Sequence, residues 1–405
     1  MKILILADGR SPITKHWLDG LKQLGHTVIF VSSYPCERLD SMDEFHVLPI
    51  AFAGLAGSQT AKTNPASGVQ SAAKPGSDWI KRFRPLFLWL RYWLGPLLLP
   101  YYGWRLNRIV KETRPDLVHA LRIPFEGMTA SFLPKNVPFA VSIWGNDLTF
   151  HAAGSGLMRR MTVRTLSRAD GLAADTQRDI RLGKLWGFSE QGRTLVVPGN
   201  GGIDITEVRI ASETGAAALN WLPLNRPLVV NPRGFRPGSV RNDTFFRSIP
   251  LILSQQPETF FVCCSMAEQP EALNWISRLQ IEPHVLLLPV LPQETLWSIF
   301  RRARVTVTVS EHDGTPNSLL EAMTCGCFPV AGDIESMREW ITPGINGMLV
   351  DPDSPEELAT AVLDALQNEP LRIAAAAINL EKIREKAEIS LIQTAIEVFY
   401  NQLTP

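Results

Sequence analysis

Five cysteines in 405 residues, with no Cys-x2-Cys pair, leave no metal or redox motif of that kind in this chain. Cys36, Cys263, Cys264, Cys325 and Cys327 are odd in number, and most stand in apolar runs (FVCCS, CGCFPV), so they are expected as small buried hydrophobes without disulfides. The opening MKILILA stops at Asp8, too early for the apolar region of a signal peptide, which points to a cytoplasmic chain. Residues 79–104 are rich in tryptophan and leucine, yet Arg91, Gly95, Pro96 and Pro100 interrupt them before the ~20 apolar residues of a membrane span. The loop Asp8-Gly-Arg-Ser-Pro lacks G-x-G-x-x-G, which argues against a dinucleotide dehydrogenase. Net charge is absent as well, with 40 Lys and Arg against 40 Asp and Glu, but it is unevenly placed. Up to Ile205 the count is 25 basic against 16 acidic, and beyond it 15 against 24. A basic first half suits an anionic surface or acceptor. Nucleic acid is not expected as a partner, because no basic helix carries interleaved base-stacking residues.

What the chain does contain is a long alternation of short apolar runs and helical patterns. Its length exceeds what one core usually supports, so two domains are expected. KILILAD, a helix from about Ile13 to Leu24 ending at Gly25, and TVIFVSS make a first βαβ unit. DLVHA, FAVSIWG, GLAAD and TLVVPG continue it as parallel-type strands, each followed by turn residues. PLVVNPRG, TFFVCCS, HVLLLPV, RVTVTVS and CFPVAG start again as a second doubly wound sheet. Residues 51–77, rich in Ala, Gly and Ser without periodicity, read as a mobile surface loop. A linker is expected near Asp204 to Asn225 and a last helical segment over about Leu371 to Gln402.

The stretch Asp313 to Glu321 (DGTPNSLLE) is the most informative. It follows the strand RVTVTVS, offers Thr315 as an N-cap and Pro316 as a first helical residue, and carries an apolar stripe through Leu319, Leu320 and Met323 to a stop at Gly326. Ligands of α/β sheets bind outside the carboxyl ends of the strands, where a helix start offers free N–H groups to an anion. Two carboxylates beside a diphosphate would be repelled by it. Asp313 and Glu321 are therefore expected to accept hydrogen bonds from neutral hydroxyls on either side, one on a sugar and one on a ribose. That describes a nucleotide-sugar.

SEHDGTPNSLLEAMTCG, followed by AGDIESMREWITPGINGMLVDPDSPEELATAV, resembles the donor-binding signature of the retaining glycosyltransferases of family 4. The resemblance implies an α/β GT-B fold: two Rossmann-like doubly wound domains facing across a cleft, with the C-terminal helix returning to the first. It places an acceptor domain at 1–205, a donor domain at 206–385 and the returning helix at 386–405. The family's Glu-x7-Glu pair falls on Asp313 and Glu321, the first shortened by a methylene. In the loop NPRGFRPGSVR the family's Arg and Lys five apart fall on Arg236 and Arg241, with Arg233 a competing alignment; guanidinium forks match phosphate oxygens. Gly314, Thr315, Asn317, Ser318 and Leu319 complete the implied donor site. Asn200-Gly201-Gly202 matches the family's Asn-Gly turn, and Glu339 its acid before Gly-Ile-Asn-Gly.

On the acceptor side, Ser142 to Asp147 (SIWGND) resembles the family loop that often carries a histidine near the reacting centre, with Trp144 in that place. Asp147 is a candidate for orienting an acceptor hydroxyl or for the donor sugar, a turn-capping aspartate being the alternative. His16 and His119 are further candidates, with structural histidines as the alternative. Asp351-Pro-Asp353 mimics an Asp-x-Asp metal motif, but Ser354-Pro-Glu-Glu357 directly after it reads as a helix-capping box. No metal or other cofactor is expected. The activity implied is metal-independent retaining hexosyl transfer from a nucleotide-diphospho-sugar to a saccharide or lipid-linked acceptor. Residues 79–104 are a candidate peripheral contact with the cytoplasmic face of a membrane. The alternatives are a noncatalytic nucleotide-sugar-binding subunit and a nucleotide-sugar epimerase or phosphorylase of the same fold.

Overall fold

The run KILILA forms β1 (Lys2–Ala7), whose Ile3, Leu4, Ile5 and Leu6 are completely buried because the strand lies mid-sheet with both faces covered. The computed structural model describes residues 1–51, 53, 91–199, 201–216, 219–223 and 225–404; of the loop expected over 51–77 only residues 51 and 53 are among them, and residues 79–90 and Asn200 are not. The first sheet continues with β2 (Thr27–Ser32), β3 (Glu44–Val47), β4 (Leu117–Ala120), β5 (Phe139–Ile143), β6 (Gly171–Ala174) and β7 (Arg193–Val196). The strands are parallel and ordered β3-β2-β1-β4-β5-β6-β7, so the winding reverses between β1 and β4, where Ile3 pairs with Leu117.

The first crossover helix, Pro12–Gln23, starts after an extended Ser11 and turns Thr14, Trp17, Leu18 and Leu21 inward at helical spacing. Gly25 ends it at φ 76: its N–H reaches the Lys22 carbonyl at 3.0 Å and that of His26 reaches Leu21 at 3.1 Å, a left-handed stop that a side chain would strain. This sheet belongs to one compact unit made of Met1–Ala174, Asp179–Val196 and Ala395–Pro405. The C-terminal piece joins the core of that unit through Tyr400, which is fully buried. The Tyr400 hydroxyl accepts from Trp17 Nε1 at 3.1 Å and bonds His119 Nδ1 at 2.7 Å, while His119 Nε2 lies 2.9 Å from Ser142 Oγ. Gly171 on β6 admits this helix closely, since a Cβ there would sit 2.5 Å from Leu403.

The second unit, Asp175–Arg178 with Val197–Thr394, holds a six-stranded parallel sheet. Its strands are β8 (Leu228–Asn231), β9 (Phe260–Cys263), β10 (Val285–Leu287), β11 (Val305–Thr308), β12 (Phe328–Gly332) and β13 (Met348–Val350), ordered β10-β9-β8-β11-β12-β13. Again the winding reverses, here between β8 and β11. Side chains alternate between two cores on opposite faces: Val229 and Phe261 pack with Phe245 and Ile249, whereas Val230 and Val262 pack with Trp297 and Phe300. Cys263, Cys264, Cys325 and Cys327 are buried in these cores, Cys36 is partly exposed, and all five are free thiols.

Two expectations change. The segment near Asp204 to Asn225 is no plain linker: it contains the helix Ile205–Ala216, whose Ile205 and Val208 join the second unit's core with Leu219 and Leu222. The last helical segment is two helices, Glu369–Lys386 and Ile389–Leu403, because the backbone at Ala387–Ile389 bonds Ile203 instead of continuing the helix (2.7 and 3.0 Å). The strands β3 and β13, four and three residues long, are too short to announce themselves by periodicity.

The His119 network yields a stability prediction. Burial pushes the His119 pKa down to about 3, from the ordinary 6.5. Below pH 6.5 the unfolded chain binds a proton that the folded chain refuses, so this contribution is whole above pH 6.5 and is lost progressively as pH falls toward 3. At pH 4.5 the loss is about 2–3 kcal/mol. In urea denaturation, His119→Gln is expected to be less stable than the parent at pH 7.5, with the gap shrinking at pH 4.5; a gap that widens there would contradict the neutral, buried assignment.

Candidate functional site

At the carboxyl edge of the second sheet, the point of reversed winding brings the loops after β8 and β11 together. Asn231 shapes the first of them: its Oδ1 accepts from the Arg233 N–H at 2.9 Å and its Nδ2 donates to Asn242 Oδ1 at 3.1 Å, while Asn242 holds the Gly234 carbonyl at 3.3 Å. The folded loop directs Arg233, which is buried, at Asp313: Nη2 to Oδ2 is 2.6 Å. Asp313 also accepts from Ser310 Oγ and the Gly314 N–H, each at 3.2 Å. Arg233 Nε remains buried without a partner. Arg236 lies close enough for the positive Arg233 to be the first cause lowering its pKa, and its exposed side chain has no ion pair among the described residues. The open Nε edge of Arg233 and the neighbouring Arg236 guanidinium have the chemistry to suit an anion.

Arg241 differs from the pairing expected for it. Its fork is filled by Asp243 at 2.9 Å, by Glu311 at 2.7 Å and by Asp353, and its pKa is raised by those bonds. It ties the start of the helix Asn242–Gln255 to the β11 loop, and no phosphate is needed to satisfy it. Asp353 is thereby an ion-pair partner, and Ser354 Oγ accepts from the Glu357 N–H at 3.1 Å, the cap read from the sequence. Among the described residues no group of three His, Cys, Asp or Glu side chains is placed to hold a metal ion.

The helix carrying Glu321 spans Asn317–Thr324, with Pro316 rather than Thr315 at its N-cap. Thr315 is occupied elsewhere: its hydroxyl donates to the Asp175 carbonyl at 2.7 Å and accepts from Trp340 Nε1 at 3.0 Å, and its N–H donates to Asp175 Oδ2 at 3.1 Å. Gly314 is required beside that contact, since a Cβ would stand 2.0 Å from Asp175 Oδ2. Leu319 is fully buried and turns its N–H back to Pro316, which leaves the amides of Asn317 and Ser318 at the open first turn. Asn317 Oδ1 and Ser318 Oγ are likewise buried without partners. One turn on, Glu321 is 4% exposed and accepts from Gln293 Nε2 at 2.6 Å; burial raises its pKa, with the Gln293 bond opposing. Among the described residues no cation pairs with it. Such a carboxyl suits a neutral hydroxyl better than an ion. Glu339 accepts the N–H groups of Gln177 and Arg178 at 3.0 and 2.8 Å and so caps that segment.

In the first unit, a cavity of about 380 Å³ opens at the β1/β4 reversal, lined among others by Asp8, Tyr34, Arg91, Arg122, Trp144 and His151. Of the acceptor-side candidates only Trp144 lines it. His16 is exposed on the outer face of its helix, and His119 is locked in the core by Tyr400 and Ser142. Asp147 is fully buried and organises the loop, holding Arg122 Nε at 2.8 Å and the N–H groups of Ile123 and Trp144 at 3.3 Å. Residues not singled out from sequence complete the wall. Tyr92 hydrogen-bonds His151 Nδ1 at 2.6 Å, and burial takes the His151 pKa down to about 4. Glu126 is buried against Ser33 Oγ at 2.6 Å with its pKa raised by burial. Phe125 before it is held at φ 68, an uncommon setting for a bulky residue. The one sequence signal for His151 is its place four residues after Asp147, a spacing that closes because the chain turns helically there.

The chain is similar to known proteins at three levels. Residues 241–382 match the family model described as glycosyl transferases group 1, and residues 97–176 match one described as glycosyl transferase 4-like. Among curated relatives, a D-inositol 3-phosphate glycosyltransferase of Thermomonospora curvata is 27% identical over 86% of this chain and 74% of its own length. One from Thermobispora bispora is 26% identical over 51% of this chain, and the match spans half of that relative's length. Among solved structures, a sucrose-phosphate synthase from Thermosynechococcus elongatus superposes with a TM-score of 0.74 at 14% identity, covering 100% of this chain and 99% of the other. HepE of Anabaena, solved in complex with UDP-glucose, gives 0.65 at 17% identity over 99% of this chain and all of the other. With two parallel-sheet α/β units and these matches, the chain resembles the glycosyltransferases of group 1, and family 4 within them, and has the GT-B fold.

Proposed function

We infer that the protein transfers a sugar, with retention of configuration and without a divalent metal, from a nucleoside-diphosphate sugar to a hydroxyl acceptor. The observation that carries this reading is the group of Arg233, Arg236 and the Asn317–Ser318 helix start, beside a buried Glu321 that no cation pairs among the described residues. The diphosphate takes the guanidinium groups and the first-turn amides. Glu321 accepts from the ribose hydroxyls, and Asp313, held by Arg233, fixes the sugar together with nearby backbone amides. Among the described residues no nucleophile is placed beside them, which supports a front-face route: the bond from the anomeric carbon to the phosphate oxygen breaks and the bond to the acceptor oxygen forms on the same face. The departing phosphate oxygen takes the acceptor proton, and the arginines stabilise the charge on the diphosphate. The first unit's cavity, with Trp144, Tyr92 and Arg122, is assigned to the acceptor. Its chemistry suits a saccharide or lipid-linked hydroxyl of cell-surface polysaccharide or glycolipid synthesis. The UDP-glucose bound by HepE makes UDP-glucose the first donor to try. Trp144, in the place where the resemblance to family 4 implies a histidine, favours one second reading, a binding subunit without activity; donor hydrolysis separates the two, because a binding subunit shows donor affinity and no turnover.

Two mutational outcomes test the donor assignment. Glu321→Ala should lower kcat/KM at least about 100-fold, the loss of one charge-assisted bond worth up to roughly 3 kcal/mol, measured by release of the nucleoside diphosphate. An unchanged rate in a folded variant removes Glu321 from the site. Arg236→Ala should weaken binding of the free nucleoside diphosphate about tenfold, and that of the nucleoside little, at an unchanged melting temperature. Arg241→Ala, by contrast, should chiefly lower the melting temperature, since it strands three carboxylates. Turnover should persist in excess chelator, and an absolute need for Mg²⁺ or Mn²⁺ would refute the metal-free mechanism.

A further inference from the structure

The helix Leu99–Thr113 and the turn before it bury one face, through Leu99, Gly103, Leu106 and Val110, and leave the other strongly apolar. Leu94, Leu97, Leu98, Tyr101 and Trp104 are between 39% and 61% exposed. Single exposed apolar residues are ordinary, but these five fall within eleven residues and form one surface. Leu97, Tyr101, Trp104, Arg108 and Lys111 follow a spacing of four and three, so they make one stripe along the outer side. Tyr101 stacks on Trp104 at 6.3 Å and the Arg108 guanidinium lies 5.5 Å from the Trp104 ring, which joins the apolar end to a cationic one. Arg105, Arg108 and Lys111 are exposed there, and from residue 91 to 113 Glu112 is the only acid.

We propose that this face seats the first unit on an anionic lipid surface. Leu94, Leu97, Leu98, Tyr101 and Trp104 enter the boundary between headgroups and acyl chains, while Arg105, Arg108 and Lys111 meet the headgroup phosphates. The segregation argues for lipid: leucine and aromatic rings at one end, cations directly beyond them, and almost no acid, the pattern of an interfacial helix. The basic surplus of the first 205 residues acts in the same sense at longer range. Among the described residues no helix is long and apolar enough to cross a membrane, so the contact is made from one side. The surface goes beyond the transferase reading, and only its corollary, that the acceptor is lipid-linked, rests on it.

The test is cosedimentation of the full chain with phosphatidylcholine vesicles containing or lacking about a third phosphatidylglycerol, at low and high salt. Binding to the anionic vesicles at low salt, weakened but not abolished by high salt, is expected. A Leu97→Glu/Trp104→Glu variant should bind at least tenfold more weakly, and Arg105→Gln/Arg108→Gln/Lys111→Gln should lose the preference for anionic vesicles. Both changes are to exposed positions, and an unaltered melting temperature with an unaltered thermal shift by UDP-glucose shows that fold and donor site persist. Absence of vesicle binding by the parent chain overturns the proposal, as does equal binding by the glutamate variant. A concentration-dependent dimer that the glutamate variant loses, without vesicle binding, would assign the face to a second copy instead. Donor turnover is scored separately, so the transferase reading can fail while the lipid surface stands, and the reverse.

Discussion

The constraint on which this structure depends is that a parallel strand must be re-entered by a crossover, and that both sheets change the direction of those crossovers once. The change falls between β1 and β4 in the first unit and between β8 and β11 in the second. Adjacent loops are thrown to opposite faces at such a point, and the carboxyl edge is left open between them. The cavity bounded by Asp8, Arg122 and Trp144 lies at one of these openings and the Arg233–Asp313 pair at the other. Neither cluster is built by its own loop. Each is assembled from side chains that the sheet order makes neighbours, and Arg233 and Asp313 are 80 residues apart in sequence.

Charge in the second unit is distributed in a way that separates holding from binding. Arg241 is saturated by Asp243, Glu311 and Asp353 and acts as a clamp on the loop. Arg233 is half satisfied, with one edge on Asp313 and a buried Nε without a partner. Glu321 is the inverse case, a carboxyl whose pKa burial raises and which has one amide donor. Leaving such groups unmatched costs stability. That cost is understandable where a ligand supplies the missing partners, and the folded chain places three of them, Arg233 Nε, Asn317 Oδ1 and Ser318 Oγ, at the loop and helix start around Asp313.

The first unit uses the same economy differently. Asp147 is buried completely and offers nothing outward, because Arg122 and two backbone N–H groups consume it. Its work is to hold Arg122 and Trp144 where they line the cavity. Phe125, kept at φ 68 beneath the Arg91 guanidinium at 4.4 Å, is a strained support of the kind that persists where surrounding contacts over-determine it. Tyr400, though near the end of the chain, is as much a part of this unit's core as β1, since it fixes Trp17 and His119 together.

From sequence alone, the long apolar runs and their punctuation were legible. β1, β2, β8, β9, β11 and β12 lie where the β-branched and aliphatic runs stand, and the first helix ends at Gly25, because these signals act over a few residues and burial on both faces leaves little choice. The strand, loop and helix that carry Asp313 and Glu321 were legible for the same local reason, since they are contiguous. What contiguity does not reach was decided by the tertiary structure. The one-residue shift of the helix start from Thr315 to Pro316 follows from Asp175 and Trp340 claiming the threonine hydroxyl. The break at Ala387 follows from a bridge to Ile203, and the roles of Arg233 and Arg241 follow from which carboxylates reach each fork. His119 is drawn into the core, and Tyr92, Glu126 and His151 line the first unit's cavity, because the sheet order and the Asp147 turn determine which side chains meet. Spacing along the chain specifies what a segment can do by itself, and a buried hydrogen bond between distant segments specifies which of those abilities is already taken.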